Sequence, residues 1–540
     1  MSNKLNLAAA LAAALATPLA LAQDVSWRVL AGDSAAIVAP GLPGGSRSTN
    51  DELLGDLGKG YIGLRMTSPN TAAGYWALRQ GAWTQYTKSG VTGSALGPGR
   101  TGTEAGHVFL SVNSGGSGAG TDGQRVFSAN AGDPAVTTSA TWGIWRWDTA
   151  RNIEIVRALT DGALGPNLGA GWVYQNRYDF GSARALNGGH VLVNAYVTSP
   201  SGLSRLYLAR GVPGQAVTPC AMKDSTDPNL APGLAAGDTF DTAWSFDNLS
   251  TTPTGRVYGA LQTNQGRNGI WKLCEGAPQA LVVNNETGAR GPDIGIATAT
   301  FATLGTPHPG DDGALFYFAT YRRTASESSR TGLFWHDGVT NRPLAINDDA
   351  GVYGPGWAGA TWQSFDTGSL TSAGEWVAFQ GTLRAADGGT PSGLWRVRAG
   401  GTPEIVALRG LEAYGPEPSR TWDAFYGNAV LANGDILVQA RTMPGSEYAL
   451  WLLKANGTRQ RVLKIGQTVS VPTATGVVQG SVSSYTVPSG AAPYSRGGDT
   501  WIGADGSLLI KANLTTYGAA LITATPSNPI DKIFASGFDG

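Results

Sequence analysis

Aromatic, acidic and arginine side chains recur together in one kind of segment along this 540-residue chain. Tyr353 and Trp357 follow Asp348 and Asp349, Tyr414 lies between Glu412 and Glu417, and Tyr321 precedes Arg322 and Arg323. Arg384 falls in a comparable place. Aromatic rings can stack on the apolar side of a sugar, while carboxylates accept and guanidinium groups donate hydrogen bonds to its hydroxyls. The set points to a saccharide ligand, with Tyr353, Trp357, Asp349, Tyr414 and Arg322 as candidate binding residues. Tyr and Arg together would also suit a polysaccharide lyase, Arg neutralising a uronate and Tyr moving protons. A glycosidase would instead need two carboxylates about 5 to 9 Å apart.

Other chemistries find little support. The chain has no Gly-x-Ser-x-Gly elbow, no His-Glu-x-x-His, no Cys-x-x-Cys and no P-loop. Its histidines are His107, His190, His308 and His336. They fall in different repeat units, whereas a metal needs about three ligands converging within a few ångströms, so neither a metal nor a cofactor is expected. The formal net charge is −1 with no basic block, which leaves counterion release on nucleic acid nothing to drive it.

The elements that must carry these residues emerge from a repeat. A small or apolar residue, an aromatic and an apolar run recur as Gly143-Ile144-Trp145, Gly269-Ile270-Trp271, Gly332-Leu333-Phe334 and Gly393-Leu394-Trp395. Looser copies place aromatics at Trp27, Trp76, Tyr207 and Trp451. Gly-Pro begins twenty residues after the aromatic at Gly165-Pro166, Gly291-Pro292, Gly354-Pro355 and Gly415-Pro416. A third marker, Phe301, Phe365 or Phe425, follows about ten residues later. Glycine is about twice as common as usual and only 14% of residues are charged, which suits short strands and tight turns rather than helices.

Read from each aromatic, a unit holds four strands: in one, Leu394–Arg398, Glu404–Leu408, Phe425–Leu431 and Asp435–Ala440. Four strands per unit of about 62 residues predict an all-β propeller of eight four-stranded blades, with seven as the alternative because the first unit is short. The strand Ala519–Ala524 is expected to pair with the N-terminal unit and close the ring. Strand parity puts the long Gly-Pro connections and the unit-to-unit connections on one face and the short hairpins on the other. Long loops on a rigid scaffold are where binding concentrates, so the candidate residues should share one end, with His190 and His308 at the opposite end.

Residues 1–22 read as a signal peptide: Lys4, the apolar run Leu5 to Leu21, and the small-x-small site Ala20-Leu21-Ala22. Residues 23–525 form the propeller and 526–540 a linker and tail. No later run approaches the length of a membrane helix. The tail, with Ile533-Phe534 and Gly537-Phe538-Asp539, resembles the Ile-Phe-x-x-Gly-Phe-acidic ends of some exported bacterial proteins. In an oxidising compartment Cys220 and Cys274 can form a disulfide between neighbouring units, the alternative being two buried thiols.

The segment Thr371-Ser372-Ala373-Gly374-Glu375-Trp376-Val377-Ala378-Phe379 resembles bacterial tandem-repeat proteins defined by Asn-x-x-Gly-x-x-x-Ala-Phe, with Thr in place of Asn. That resemblance implies an exported repeat protein and brings no catalytic residues. The sequence reading is thus a secreted, periplasmic or surface-held, non-catalytic binding or scaffold propeller for polysaccharide or envelope glycan. The alternative is a carbohydrate-active lyase or glycosidase.

Overall fold

A computed structural model describes residues 27–32, 34, 37, 53–56, 61–68, 71–79, 82–119, 125–176, 182–241, 249–252, 254–310, 313–486 and 508–524. The leader assigned to 1–22 and the tail at 526–540 lie outside the described residues. The fold is an all-β propeller: the described residues form strands and short 3-10 turns, and none of their helices is long and apolar enough to cross a membrane.

Seven antiparallel sheets follow one another in chain order, spanning residues 53–88, 108–157, 173–222, 249–283, 300–346, 361–408 and 421–464, here sheets one to seven. Each is four strands deep. In sheets three and five the first strand is broken into two short pieces that pair with the same neighbour. First strands of successive sheets touch one another, as Thr361–Ala373 touches Thr421–Val430, and so lie innermost. Consecutive sheets share apolar cores. Phe318 and Leu333 of sheet five meet Trp362 and Trp395 of sheet six, and Leu394 of sheet six meets Trp422 and Trp451 of sheet seven. Burial on both faces explains why middle strands such as Leu315–Arg322 read as nearly unbroken apolar runs.

An eighth unit differs in kind. Trp27–Gly32, Thr468–Thr473, Gly476–Thr486, Leu508–Leu514 and Gly518–Ala524 close into a five-stranded barrel. Gly518–Ala524 pairs antiparallel with Trp27–Gly32, as expected, and the barrel packs on sheet seven through Val469, Val482 and Ile522. The unit opening at Trp27 is therefore not a four-stranded blade: the N-terminal segment supplies one strand, and the C-terminal segment supplies the other four.

The phase of the repeat also needs correcting. From Trp76 onward each marker aromatic lies on the third strand of its sheet, and the Gly-Pro segments connect consecutive sheets rather than strands within one unit. What locks the markers together is a hydrogen bond. Trp145 Nε1 donates to the Pro98 carbonyl (3.1 Å), Trp271 to Pro232 (2.9 Å), Trp395 to Pro355 (2.9 Å), and the Tyr207 hydroxyl to Pro166 (2.6 Å). In sheet five the aromatic is Phe334, which has no donor, and Asn341 Nδ2 serves the Gly291 carbonyl instead (3.2 Å). Where a glycine precedes the Pro, crowding sets it: a Cβ on Gly415 would lie 1.9 Å from the Arg420 carbonyl oxygen, whereas Pro232 follows Ala231.

The segment Thr371–Phe379 is the hairpin between the first two strands of sheet six. Thr371 Oγ1 accepts from Val430 N (3.2 Å) and Asn428 Nδ2 (3.1 Å) of sheet seven, so the motif's first position ties neighbouring inner strands together. Cys220 and Cys274 are bonded, with Cα atoms 4.5 Å apart, stapling the last strand of sheet three to the residue that follows the third strand of sheet four.

Candidate functional site

The corrected phase leaves strand parity intact. Sheet-to-sheet connections and second-to-third loops share one end of the sheets, the long-connection end, and the two tight hairpins of each sheet share the other. The candidates fall at the long-connection end, but in two roles. Trp357 and Tyr414, from successive connections, stack with ring centroids 6.2 Å apart and planes at 29°. Both are half-buried against the core of sheets five and six. Tyr353 is half-buried and its carbonyl accepts from Trp362 Nε1 (2.8 Å). Asp349 Oδ1 accepts from Gly351 N (2.6 Å) and shapes its turn. Arg322 is exposed and donates from Nε to Ser329 Oγ (3.1 Å). Tyr321, beside it, is buried. His190 and His308 sit by the first-to-second hairpins, at the other end.

A cleft of about 290 Å³ opens between sheets six and seven at the long-connection end. Its origin is an irregular inner strand. Along Thr361–Ala373, Asp366 pairs with Gln380 and Thr371 with Ala378, so residues 367–370 face Phe379 alone and bulge out of the ladder. Ser369 Oγ holds the bulge by donating to the Asp366 carbonyl (2.6 Å) and accepting from Gln380 N (2.7 Å). Asn428 Nδ2 donates to the Ser369 carbonyl (3.1 Å), and Gln380 Nε2 donates to Asn428 Oδ1 (3.3 Å). A satisfied buried network of this kind fixes the polar wall it supports.

The wall is polar and small on sheet six and aromatic on sheet seven. Ser364, Thr382 and Ser392 align across three strands, Gly381 pairs with Gly393, and Asp366, Gln380 and Arg409 complete that side. Arg409 N donates to the Ser392 carbonyl (2.9 Å) and its Nη1 to Ser392 Oγ (3.3 Å). Ala424 and Phe425 face them, and Phe425 is braced by Trp422 at 5.6 Å. Low-volume side chains leave the space, and donors and acceptors line it. Small-molecule sites of this character start near about 300 Å³.

Sequence reasoning missed this cleft, since its serines, threonine and glutamine carry no motif. The signal was comparative. One sheet on, the positions of Ser364, Thr382 and Ser392 are held by Ala424, Arg441 and Tyr448. There Tyr426 and Tyr448 stack at 5.4 Å, the Tyr426 hydroxyl donates to that of Tyr448 (3.1 Å), and Arg441 Nη1 also donates to it (3.2 Å). Asp423 holds Arg441 from the other side. The hydrogen bond from Tyr426, then that from Arg441, hold the Tyr448 hydroxyl below the usual phenol range, while Tyr426 is raised by the bond it donates. Among the described residues no three His, Cys, Asp or Glu side chains are grouped to hold a metal ion.

Among solved structures, the chain is similar to prolyl oligopeptidase B from Galerina marginata, with 8% identity and a TM-score of 0.31 over 81% of this chain and 55% of that one. It thus spans little more than half the length of that protein. It is also similar to the β-propeller domain of the Trilobed protease from Pyrococcus furiosus, at 9% identity and a TM-score of 0.28, covering 75% of this chain and 94% of the domain. A polysaccharide lyase matches at 11% identity and a TM-score of 0.29, covering 91% and 93% of the two chains. No curated protein matches the sequence. The family of unknown function DUF7453 matches residues 121–480, two thirds of the sequence and all of the cleft, and the chain belongs to that family.

Proposed function

We propose that the protein is an exported, non-catalytic propeller that binds polysaccharide or cell-envelope glycan at the long-connection end of sheets six and seven. The observation that carries this reading is the cleft itself, in which Ser364, Asp366, Gln380, Thr382 and Ser392 face Ala424 and Phe425. Such a wall offers donors and acceptors to hydroxyls and apolar surface to ring C–H groups, which is what a saccharide presents. The stacked Trp357 and Tyr414 lie on the other side of the same end of sheet six, so a chain leaving the cleft can cross that end and meet them. Tyr353, Asp349 and Arg322 extend the same rim toward sheet five. Export is part of the proposal, supported by the leader pattern of residues 1–22 and by the Cys220–Cys274 disulfide.

A glycan array on the exported protein, with products assayed in parallel, tests the proposal. Retention of a polysaccharide without new chain ends is the expected result. Retention that survives Ser392→Trp, which fills the cleft, would overturn the site, and a blank array would overturn the function. A second reading rests on Tyr448, whose hydroxyl is lowered beside Arg441: a lyase, with Tyr448 moving the proton. Unsaturated uronate products lost in Tyr448→Phe would favour it. Asp366 is the one carboxylate among the described residues lining the cleft, so the paired acids of a glycosidase are not assembled there.

A further inference from the structure

We propose that the cleft selects an anionic saccharide, a uronate-bearing chain, whose carboxylate is held by Arg409 with Arg384 at the mouth. The inference rests on the saccharide-binding reading above and names the ligand class. It starts from the two exposed arginines of sheets six and seven that the fold leaves without a counter-charge; the half-buried Arg459 also lacks one but donates to the Gly415 carbonyl. In sheets six and seven and their flanks, Arg396 pairs with Glu404 (2.8 Å), Arg420 with Glu447 (2.8 Å), Arg461 with Glu447 (3.2 Å), Arg398 with Glu375, and Arg441 with Asp423. Arg409 and Arg384 have no carboxylate partner within 4.0 Å among the described residues.

Both unpaired groups belong to the cleft. Arg409 lines it, and its one side-chain hydrogen bond, to Ser392 Oγ, leaves the rest of its donor fork free. Arg384 lies two residues beyond Thr382 on Trp376–Arg384. Strand alternation therefore aims its Cα–Cβ bond to the same side as Thr382, at the end where the cleft opens. A guanidinium presents parallel N–H donors that match a carboxylate's two oxygens, and charge-assisted pairs of this kind are roughly twice as strong as neutral ones.

The rest of the wall decides which anion. Asp366 faces the same space and repels a small, fully charged ion such as phosphate, but it accepts hydrogen bonds from hydroxyls. Ser364, Thr382 and Gln380 donate or accept equally. A uronate carries one carboxylate for Arg409 and several hydroxyls for Asp366 and its neighbours, so it satisfies both ends of a cleft that holds opposite charges.

Calorimetric titration of the exported protein tests this, using oligogalacturonates, oligoglucuronates and oligomannuronates beside their carboxyl-reduced neutral counterparts. A sulfated, uronate-free glycan is the third arm. We expect at least one acidic series to bind about tenfold or more tightly than its reduced form, with affinity falling as salt rises. Arg409→Ala should lose about tenfold or more of that affinity, the size of one charged hydrogen-bonding pair. Arg409→Lys should lose part of it, and both should keep the wild-type melting curve. Equal binding of acidic and reduced chains would overturn the inference while leaving the saccharide reading standing. Equal binding of the sulfated glycan would overturn the carboxylate assignment. An unchanged affinity in Arg409→Ala would remove Arg409 from the site, and no binding in any arm, together with a blank array, would remove both readings.

Discussion

The indole of Trp395, fully buried on the third strand of sheet six, donates from Nε1 to the Pro355 carbonyl at 2.9 Å, forty positions earlier in the connection that leads into that sheet. Trp395 also meets Trp362 edge-on at 4.7 Å and lies parallel to Phe379 at 6.5 Å. Two contributions can thus be separated. Trp395→Phe keeps most of the ring and orphans the Pro355 carbonyl, which should cost about 1–3 kcal/mol. Trp395→Ala adds a cavity and should cost about 3–5 kcal/mol. Urea midpoints measured on both variants check the order; equal losses would mean that the hydrogen bond contributes nothing of its own.

The bond between Cys220 and Cys274 closes a 54-residue span across sheets three and four. Constraining the unfolded chain over that length is worth about 4 kcal/mol. The Cys220→Ser, Cys274→Ser double variant should therefore melt well below the wild type in the absence of reductant. Wild type treated with reductant should fall to the variant's curve, and a wild type that ignores reductant while the variant melts early would point to packing rather than the crosslink.

Burial holds the imidazole of His308 down at about 4, and its Nδ1 has no hydrogen-bond partner among the described residues. The unfolded chain takes up that proton near pH 6.5, whereas the folded chain does not until about pH 4. Stability is therefore intact above pH 6.5, falls as pH drops through the window, and levels off below about 4. The loss is about 3 kcal/mol. Denaturation curves at several pH values for wild type and His308→Leu check it: the variant should show a shallower acid slope, and parallel slopes would clear His308 of the role.

Trp357 and Tyr414 brace each other at 6.2 Å beside, rather than inside, the cleft. Their joint replacement by Ala should weaken binding of long saccharide chains several-fold and leave short ones nearly unaffected. Because both rings also rest on the core of sheets five and six, the same variant should lose about 1–3 kcal/mol of stability. A length series of oligosaccharides separates the two effects. Equal loss for short and long chains would place the rings inside the primary site.

Much of this architecture is legible in the residues because the constraints are local and repeated. Gly393 cannot carry a Cβ beneath the Ala407 carbonyl (2.2 Å), and Trp395 needs the Pro355 carbonyl, so both leave marks at fixed spacing. The phase of the sheets is hidden for a physical reason. Hairpins and connections alike are written in Gly-rich turns, and only backbone pairing, such as Trp395 with Ile405 on one side and Phe379 on the other, says which four strands belong together. The barrel is hidden because its pairing joins Trp27 to Ala524, beyond any local pattern. The cleft is hidden because it consists of what Ser364, Thr382 and Ser392 lack: bulk that Arg441 and Tyr448 supply in the next sheet.

Trp27–Gly32 is hydrogen-bonded to Thr468–Thr473 on one side and Gly518–Ala524 on the other, so the first of the described strands gains these backbone partners only when nearly all the chain has been made. Sheets one to seven can condense in order as they emerge, each from strands close in sequence. The barrel cannot, and it carries the longest loop closure among the described strands. Until then Trp27–Gly32 is an open edge that waits, exposed to pairing with other chains, and Gly518–Ala524 acts as the clasp that ends the wait.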